Sequence, residues 1–200
     1  MTSRRTLVAG VGLTLLLAVT AAAVAQEPQE YAAPTMEEMM AAYMEAGAPG
    51  EAHAMLGKWA GEWTVEVKSY MPGMDEPMVT AATVSAESAM GGRWLIEKVK
   101  GDFMGQPFEG VSITGYNNSS GMYENAWYDN MATALVYSTG EVEGNVMTMK
   151  GTFIDPLTGE KVKSWSVMTI VSDDERIARG YEDRGGEEIL TIELHFKRKM

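Results

Sequence analysis

Cysteine is absent from this 200-residue chain, and histidine occurs only twice, at His53 and His195. Without cysteine there are no disulfide staples, no thiol nucleophile, no cysteinyl zinc or iron–sulfur site and no lipid attachment through sulfur. Two histidines leave little for a metal triad or for Ser-His-Asp chemistry. Positive charge is also scarce: 16 Lys and Arg stand against 28 Asp and Glu, a formal charge of −12. Binding to nucleic acid relies on cations that neutralise phosphates, and an acidic surface has the wrong sign for it. An anionic bilayer surface is disfavoured for the same reason. Gly-x-Ser-x-Gly, His-Glu-x-x-His and dinucleotide fingerprints are all missing. No catalytic residue, cofactor or metal is therefore assigned. The length suits one domain, whose core buries roughly 70% of the unfolded chain's surface.

The first segment reads as an address. Arg4 and Arg5 precede an uncharged run from Thr6 to Ala25 that ends Ala23-Val24-Ala25. A positive start, an apolar middle and a small-x-small end mark a secretory signal peptide, with cleavage expected after Ala25. A retained membrane anchor is the rival, since about 20 apolar residues can span a bilayer. The Ala-rich end favours cleavage. The expectation is an exported protein, periplasmic or extracellular, with no membrane insertion once the leader is gone. Gln26–Thr35, with Pro28 and Pro34, reads as a tether.

Helical spacing follows. Met36, Met39, Met40, Tyr43 and Met44 share one face, Thr35 and Glu38 fit a capping box, and Gly47 is a stop. A second short helix is expected over Pro49–Lys58. The domain reading is a linker and Met-rich helix over residues 26–49 and a barrel over residues 50–200.

From Trp59 the period changes to two. Trp63, Val65 and Val67 alternate with Glu62, Thr64, Glu66 and Lys68. Further alternating runs cover Met78–Met90, Arg93–Lys100, Phe108–Tyr116, Met122–Tyr128, Ala132–Thr139, Asn145–Phe153, Lys161–Val171, Arg176–Tyr181 and Glu188–Lys199. Gly-, Asn- and Asp-rich turns separate them, and these loops are too short for parallel crossovers. About ten antiparallel strands in sequence order leave two edges if flat, and closure into an up-and-down barrel removes both. The fold class is all-β, preceded by one or two short helices. Leu190, Ile192, Leu194 and Phe196 supply an apolar face to the last strand. A barrel this wide is not easily filled by its own side chains, so a ligand cavity is expected inside, with the helices plugging one end.

Several motifs lie along this region. They are His53-x-x-Leu56-Gly57, Gly61-x-Trp63, Gly91-Gly92-Arg93, Gly101–Gly110, Gly115-Tyr116, Trp127-x-Asp129, Asp155-Pro156-x-Thr158-Gly159 and a closing Glu193…Arg198. Together they resemble a bacterial domain-of-unknown-function family, number 1579, over about Ala52–Lys199. That resemblance implies a lipocalin-like, calycin-type barrel and no established activity. One departure is Asn117, where the family usually carries Asp after Gly-Tyr.

The residues singled out for ligand binding are Trp63, Arg93, Trp94, Tyr116, Trp127 and Asp129. Aromatic side chains suit the enclosure of an apolar or amphipathic molecule. For Trp59 and Trp63 the alternative of packing at the barrel floor is favoured; for Trp127 the two readings balance. Arg93 shares its parity with Leu95, Glu97 and Val99. If that face is inward, Arg93 needs a carboxylate partner, such as Glu97, Asp129 or Glu193, or a ligand's anionic head. Gly101–Gly110 reads as a hairpin at the barrel mouth, with Phe103, Met104 and Phe108 as lid candidates. Three rival functions stand beside ligand binding. One is partner docking through the Met-rich helix. Another is hydrolase-type acid–base work by Asp129, Glu97 or Glu193. The last is haem binding, because Gly57-Lys58-Trp59-Ala60-Gly61 resembles the opening of nitrobindin-like barrels, which also use a late histidine. His195 alternates with Glu193 and Lys197, opposite the apolar set, and so is expected to point outward. His53 is expected to hydrogen-bond where helix meets barrel.

Overall fold

Strict alternation of apolar and polar residues, interrupted every ten residues or so by a turn, gives each strand one buried face and one solvated face. The computed structural model describes residues 33–200. The expected signal peptide and most of the tether lie outside the described residues. Ten strands follow two helices, α1 (Met36–Ala46) and α2 (Glu51–Gly57). The strands are β1 (Gly61–Ser69), β2 (Met78–Ala89), β3 (Trp94–Phe103), β4 (Gln106–Asn117), β5 (Met122–Asp129), β6 (Val136–Glu143), β7 (Val146–Ile154), β8 (Lys161–Ser172), β9 (Glu175–Arg184) and β10 (Glu187–Arg198). Each pairs antiparallel with its neighbour in sequence, and β1 pairs with β10, so the sheet closes as a barrel. The expected fold class is the observed one.

Most strand bounds differ from the sequence reading by a few residues, and two differences have a visible local basis. The strand expected over Ala132–Thr139 begins four residues later, at Val136. The reason is local: the Asp129 carboxylate accepts the N–H groups of Met131 (2.9 Å) and Ala132 (3.1 Å) and holds that segment as a loop. The pairing of β10 with β9 also slips between Leu190 and Ile192. Past that irregularity Ile192, Leu194 and Phe196 line the interior, while Leu190 does not.

The core is concentrated at one end. Leu56 of α2, Trp59, Trp63, Val84 and Leu95 are almost wholly buried there. α2 packs on β2, β3 and β4, so the short second helix supplies the plug. His53 is buried in this junction: its Nδ1 accepts the Gly50 N–H at 3.0 Å, and its ring meets Tyr116 edge-on at 5.9 Å. α1 behaves differently. It has the expected helical span but buries nothing, and Met36, Tyr43 and Met44 are more than 70% exposed. It is tied on by the Asn118 side chain, whose Nδ2 donates to the Ala46 and Ala48 carbonyls at 3.0 and 2.7 Å.

Candidate functional site: the barrel interior

At the floor, a cation sits where the sequence reading placed none. Arg176 begins the inner face of β9, followed at the same parity by Ala178 and Gly180, and it is 0% exposed. Its guanidinium carbon lies 4.6, 4.5 and 4.7 Å from the ring centroids of Trp59, Trp63 and Phe196. Nη2 donates to Glu97 Oε1 at 3.1 Å, while Nε and Nη1 have no hydrogen-bond partner. The ring faces offset part of the desolvation cost, because their quadrupoles attract a cation. The Trp63 indole N–H is satisfied by the Trp59 carbonyl at 2.9 Å.

Above this floor a cavity of about 580 Å³ runs up the barrel. Its two sides differ. β10, β1, β2 and β3 turn Leu194, Phe196, Val65, Val67, Val84 and Val99 inward. The opposite wall is polar at mid-height: Thr114, Asn125, Ser138, Gly151 and Ser164 are register partners across β4 to β8. Asn125 Nδ2 donates to Ser112 Oγ at 2.8 Å and Thr114 Oγ1 at 2.9 Å. Closer to the floor the same wall returns to apolar contacts, with Met147, Met149 and Met168.

The mouth is aromatic and acidic. Trp127 stacks on Phe108, with centroids 6.2 Å apart and planes 18° from parallel. Gly110 makes room for it, since a Cβ there would fall 2.4 Å from the Trp127 ring. The Trp127 indole N–H donates to Asp129 Oδ2 at 2.8 Å, which fixes the ring's orientation. The Gly101–Gly110 segment is the expected hairpin at this end. Phe103 and Phe108 line the cavity, while Met104, at φ 55° beside Gly105 at φ 79°, forms the exposed two-residue turn.

The candidate residues thus fall into three places. Trp127 and Asp129 line the cavity together. Trp63 and Tyr116 occupy the plugged end, Trp63 against Arg176 and Tyr116 against His53 and Tyr123. Arg93 and Trp94 stand apart from the lumen. Arg93 is exposed in the turn before β3, where Nη1 donates to the Met90 carbonyl at 3.1 Å. The Trp94 ring lies over Gly115 on the barrel's other face. Each carboxylate considered as a partner for Arg93 is engaged elsewhere: Glu97 by Arg176, Asp129 by Trp127 and two backbone N–H groups, and Glu193 by Lys68 and Arg179. The parity of β9 was the available signal for Arg176: a lone arginine on an inner face with two of the smallest residues beside it.

The carboxylates considered for acid–base chemistry each hold partners. Asp129 is engaged by Trp127 and two backbone amides, and Glu97 by Arg176. Glu193 is on the outer face between Lys68 (3.2 Å) and Arg179 (2.7 Å). Burial pushes its carboxyl up, but the hydrogen bonds from Lys68 and Arg179 outweigh this and hold it below the usual range. His195 is also outside, with Nε2 2.6 Å from Glu175 Oε1. Among the described residues no cluster of three or more His, Asp or Glu side chains is placed to hold a metal ion.

At the rim, Arg184 binds both Asp155 and Glu182. The hydrogen bond from Arg184, with a second from the Leu157 N–H, holds the Asp155 carboxyl below the usual aspartate range. A carboxyl depressed in the folded state takes up a proton when the chain unfolds near its ordinary value. Its contribution is therefore full above that value and is lost as pH falls through the folded one. Asp155→Asn is expected to flatten the acid limb of the melting temperature below about pH 4. An acid limb as steep as the parent's would show that this rim contact contributes nothing.

A family model described as a protein of unknown function, DUF1579, matches residues 48–198. No curated protein matches the chain.

Proposed function

The chain belongs to the DUF1579 family, and from that premise we propose that the barrel is an exported carrier that holds a small apolar or amphipathic molecule in its lumen. The observation that carries this reading is the cavity itself. At about 580 Å³ it falls within the range of small-molecule sites, plugged at one end and walled largely by valine, leucine, methionine and aromatic side chains. A barrel that served only as a scaffold gains stability by filling such a space, because unfilled apolar volume forfeits contacts. Trp127, locked by Asp129 and stacked on Phe108 at the mouth, is placed to cover a bound molecule. Export is supported by the paired arginines, uncharged run and Ala-x-Ala end of residues 1–25.

A plug tests the reading. Ala82 lines the cavity from β2 and is partly buried against the core. Ala82→Phe places a phenyl ring in the lumen. It is expected to weaken binding of the uncharged dye N-phenylnaphthylamine by about tenfold or more, the equivalent of roughly 1.4 kcal/mol, without lowering the urea midpoint. Dye fluorescence titration reads the first and circular dichroism the second. Parent-like dye binding by a folded Ala82→Phe variant would refute a luminal site.

A further inference from the structure

Reading the barrel as a binding protein leaves the ligand's class open, and the charges around the lumen narrow it. We infer that the cavity takes an uncharged amphipath, an apolar body with one hydroxyl or amide group, and rejects carboxylates and other anions. Among the described residues, no Lys, Arg or His lines the cavity, whereas Glu97, Asp102, Asp129 and Glu182 do. Arg176 is out of reach. It is shut behind Trp59 and Phe196, and of its ion pair only the Glu97 member lines the cavity. The rim's Arg184 is already held by Asp155 and Glu182. An entering carboxylate loses hydration, finds no counter-charge and passes acidic side chains at both ends, which is costly.

The polar wall points to what is accepted instead. Asn125 Nδ2 is taken by the oxygens of Ser112 and Thr114, which lie 3.5 Å from each other. Three neutral groups that satisfy one another in this way keep one hydroxyl hydrogen and the Asn125 carbonyl oxygen for a guest. Either orientation of the Asn125 amide leaves the cluster with both a donor and an acceptor. A hydroxyl or primary amide matches both; a carboxylate offers only acceptors. β3 adjoins the cluster, with Glu97 the register partner of Ser112, and the apolar side chains of β1 and β10 line the same lumen farther round the barrel, so one molecule can meet both.

The test is displacement of N-phenylnaphthylamine from the purified chain by dodecanol, dodecanamide and dodecanoate, at neutral pH and below micelle formation. Dodecanol and dodecanamide are expected to displace the dye at concentrations about tenfold or more below dodecanoate. Dodecanoate equal to or better than the alcohol overturns the inference on ligand class and leaves the binding protein intact. Failure of the dye and all three competitors to bind overturns the binding reading as well. Asn125→Leu is expected to weaken dodecanol about fivefold, as loss of a buried hydrogen-bond partner should, with each variant's own dye affinity measured first so that displacement is read as a dissociation constant. Ser112→Ala, a smaller change, makes the same comparison where leucine disturbs folding. Unchanged dodecanol binding in a folded variant overturns the assignment of the polar wall as the docking point.

Discussion

Arg176→Ala is expected to lower the unfolding free energy by about 3–5 kcal/mol, the range for breaking a buried ion pair by removing one partner. Two losses combine. Glu97 loses its cation, at 3.1 Å, and the space between Trp59, Trp63 and Phe196 becomes a hole. The parent interaction is itself an expensive one, because Nε and Nη1 are buried without hydrogen-bond partners. Replacing both charges by apolar groups of similar size, Arg176→Met with Glu97→Leu, should therefore recover most of the loss. Urea unfolding of the single and double variants, compared at equal m values, checks this. A double variant less stable than Arg176→Ala would show that the pair, not the packing, dominates the floor. A single variant as stable as the parent would mean that neither matters.

The second large effect is at the seam. Arg198→Ala is expected to cost about 2–4 kcal/mol, because charge-assisted bonds to several backbone groups are lost together. Arg198 Nη1 donates to the Ala60 carbonyl at 2.7 Å, Nη2 to those of Lys58 (2.6 Å) and Asp173 (2.8 Å), and Nε to Asp174 Oδ1 (2.7 Å). Its guanidinium also lies 4.4 Å from the Trp63 ring centroid. One side chain thus ties the end of β10 to the approach to β1 and to the β8–β9 turn. Gly61 belongs to the same arrangement: at φ 127° its missing Cβ leaves room for Nη1, which a side chain would approach to 2.8 Å. Arg198→Lys should restore less than half, since an ammonium cannot fork across several carbonyls. Thermal and urea unfolding read the loss, and hydrogen exchange at the N–H groups of β1 should rise first. Full recovery by lysine would reduce the role of Arg198 to charge alone.

The same residues show how much was legible beforehand. Gly61-x-Trp63 and Arg198 are visible as motifs, but their contact is not, since it exists only because β1 pairs with β10. The inner faces of β1 and β10 followed from parity, as did the outward His195. Arg93 shows where parity fails. It shares the alternation of Leu95 and Glu97 but precedes the first paired residue of β3, so its side chain turns back to the Met90 carbonyl instead. Trp127 and Asp129 were found because two residues of equal parity on one strand meet in any register. Arg176 escaped because a charge on an inner face is costly unless distant partners receive it, and Glu97, Trp59, Trp63 and Phe196 come from three other parts of the chain.

Local sequence alone determined the order of strands, their antiparallel pairing and, away from strand ends and bulges, the side of the sheet a residue faces, because a period of two and tight turns are properties of neighbouring residues. Only the tertiary structure decided which inward residues form the floor, the lumen or the mouth. Depth inside a cylinder depends on where its two ends join and on what plugs it, and those contacts unite residues more than a hundred positions apart.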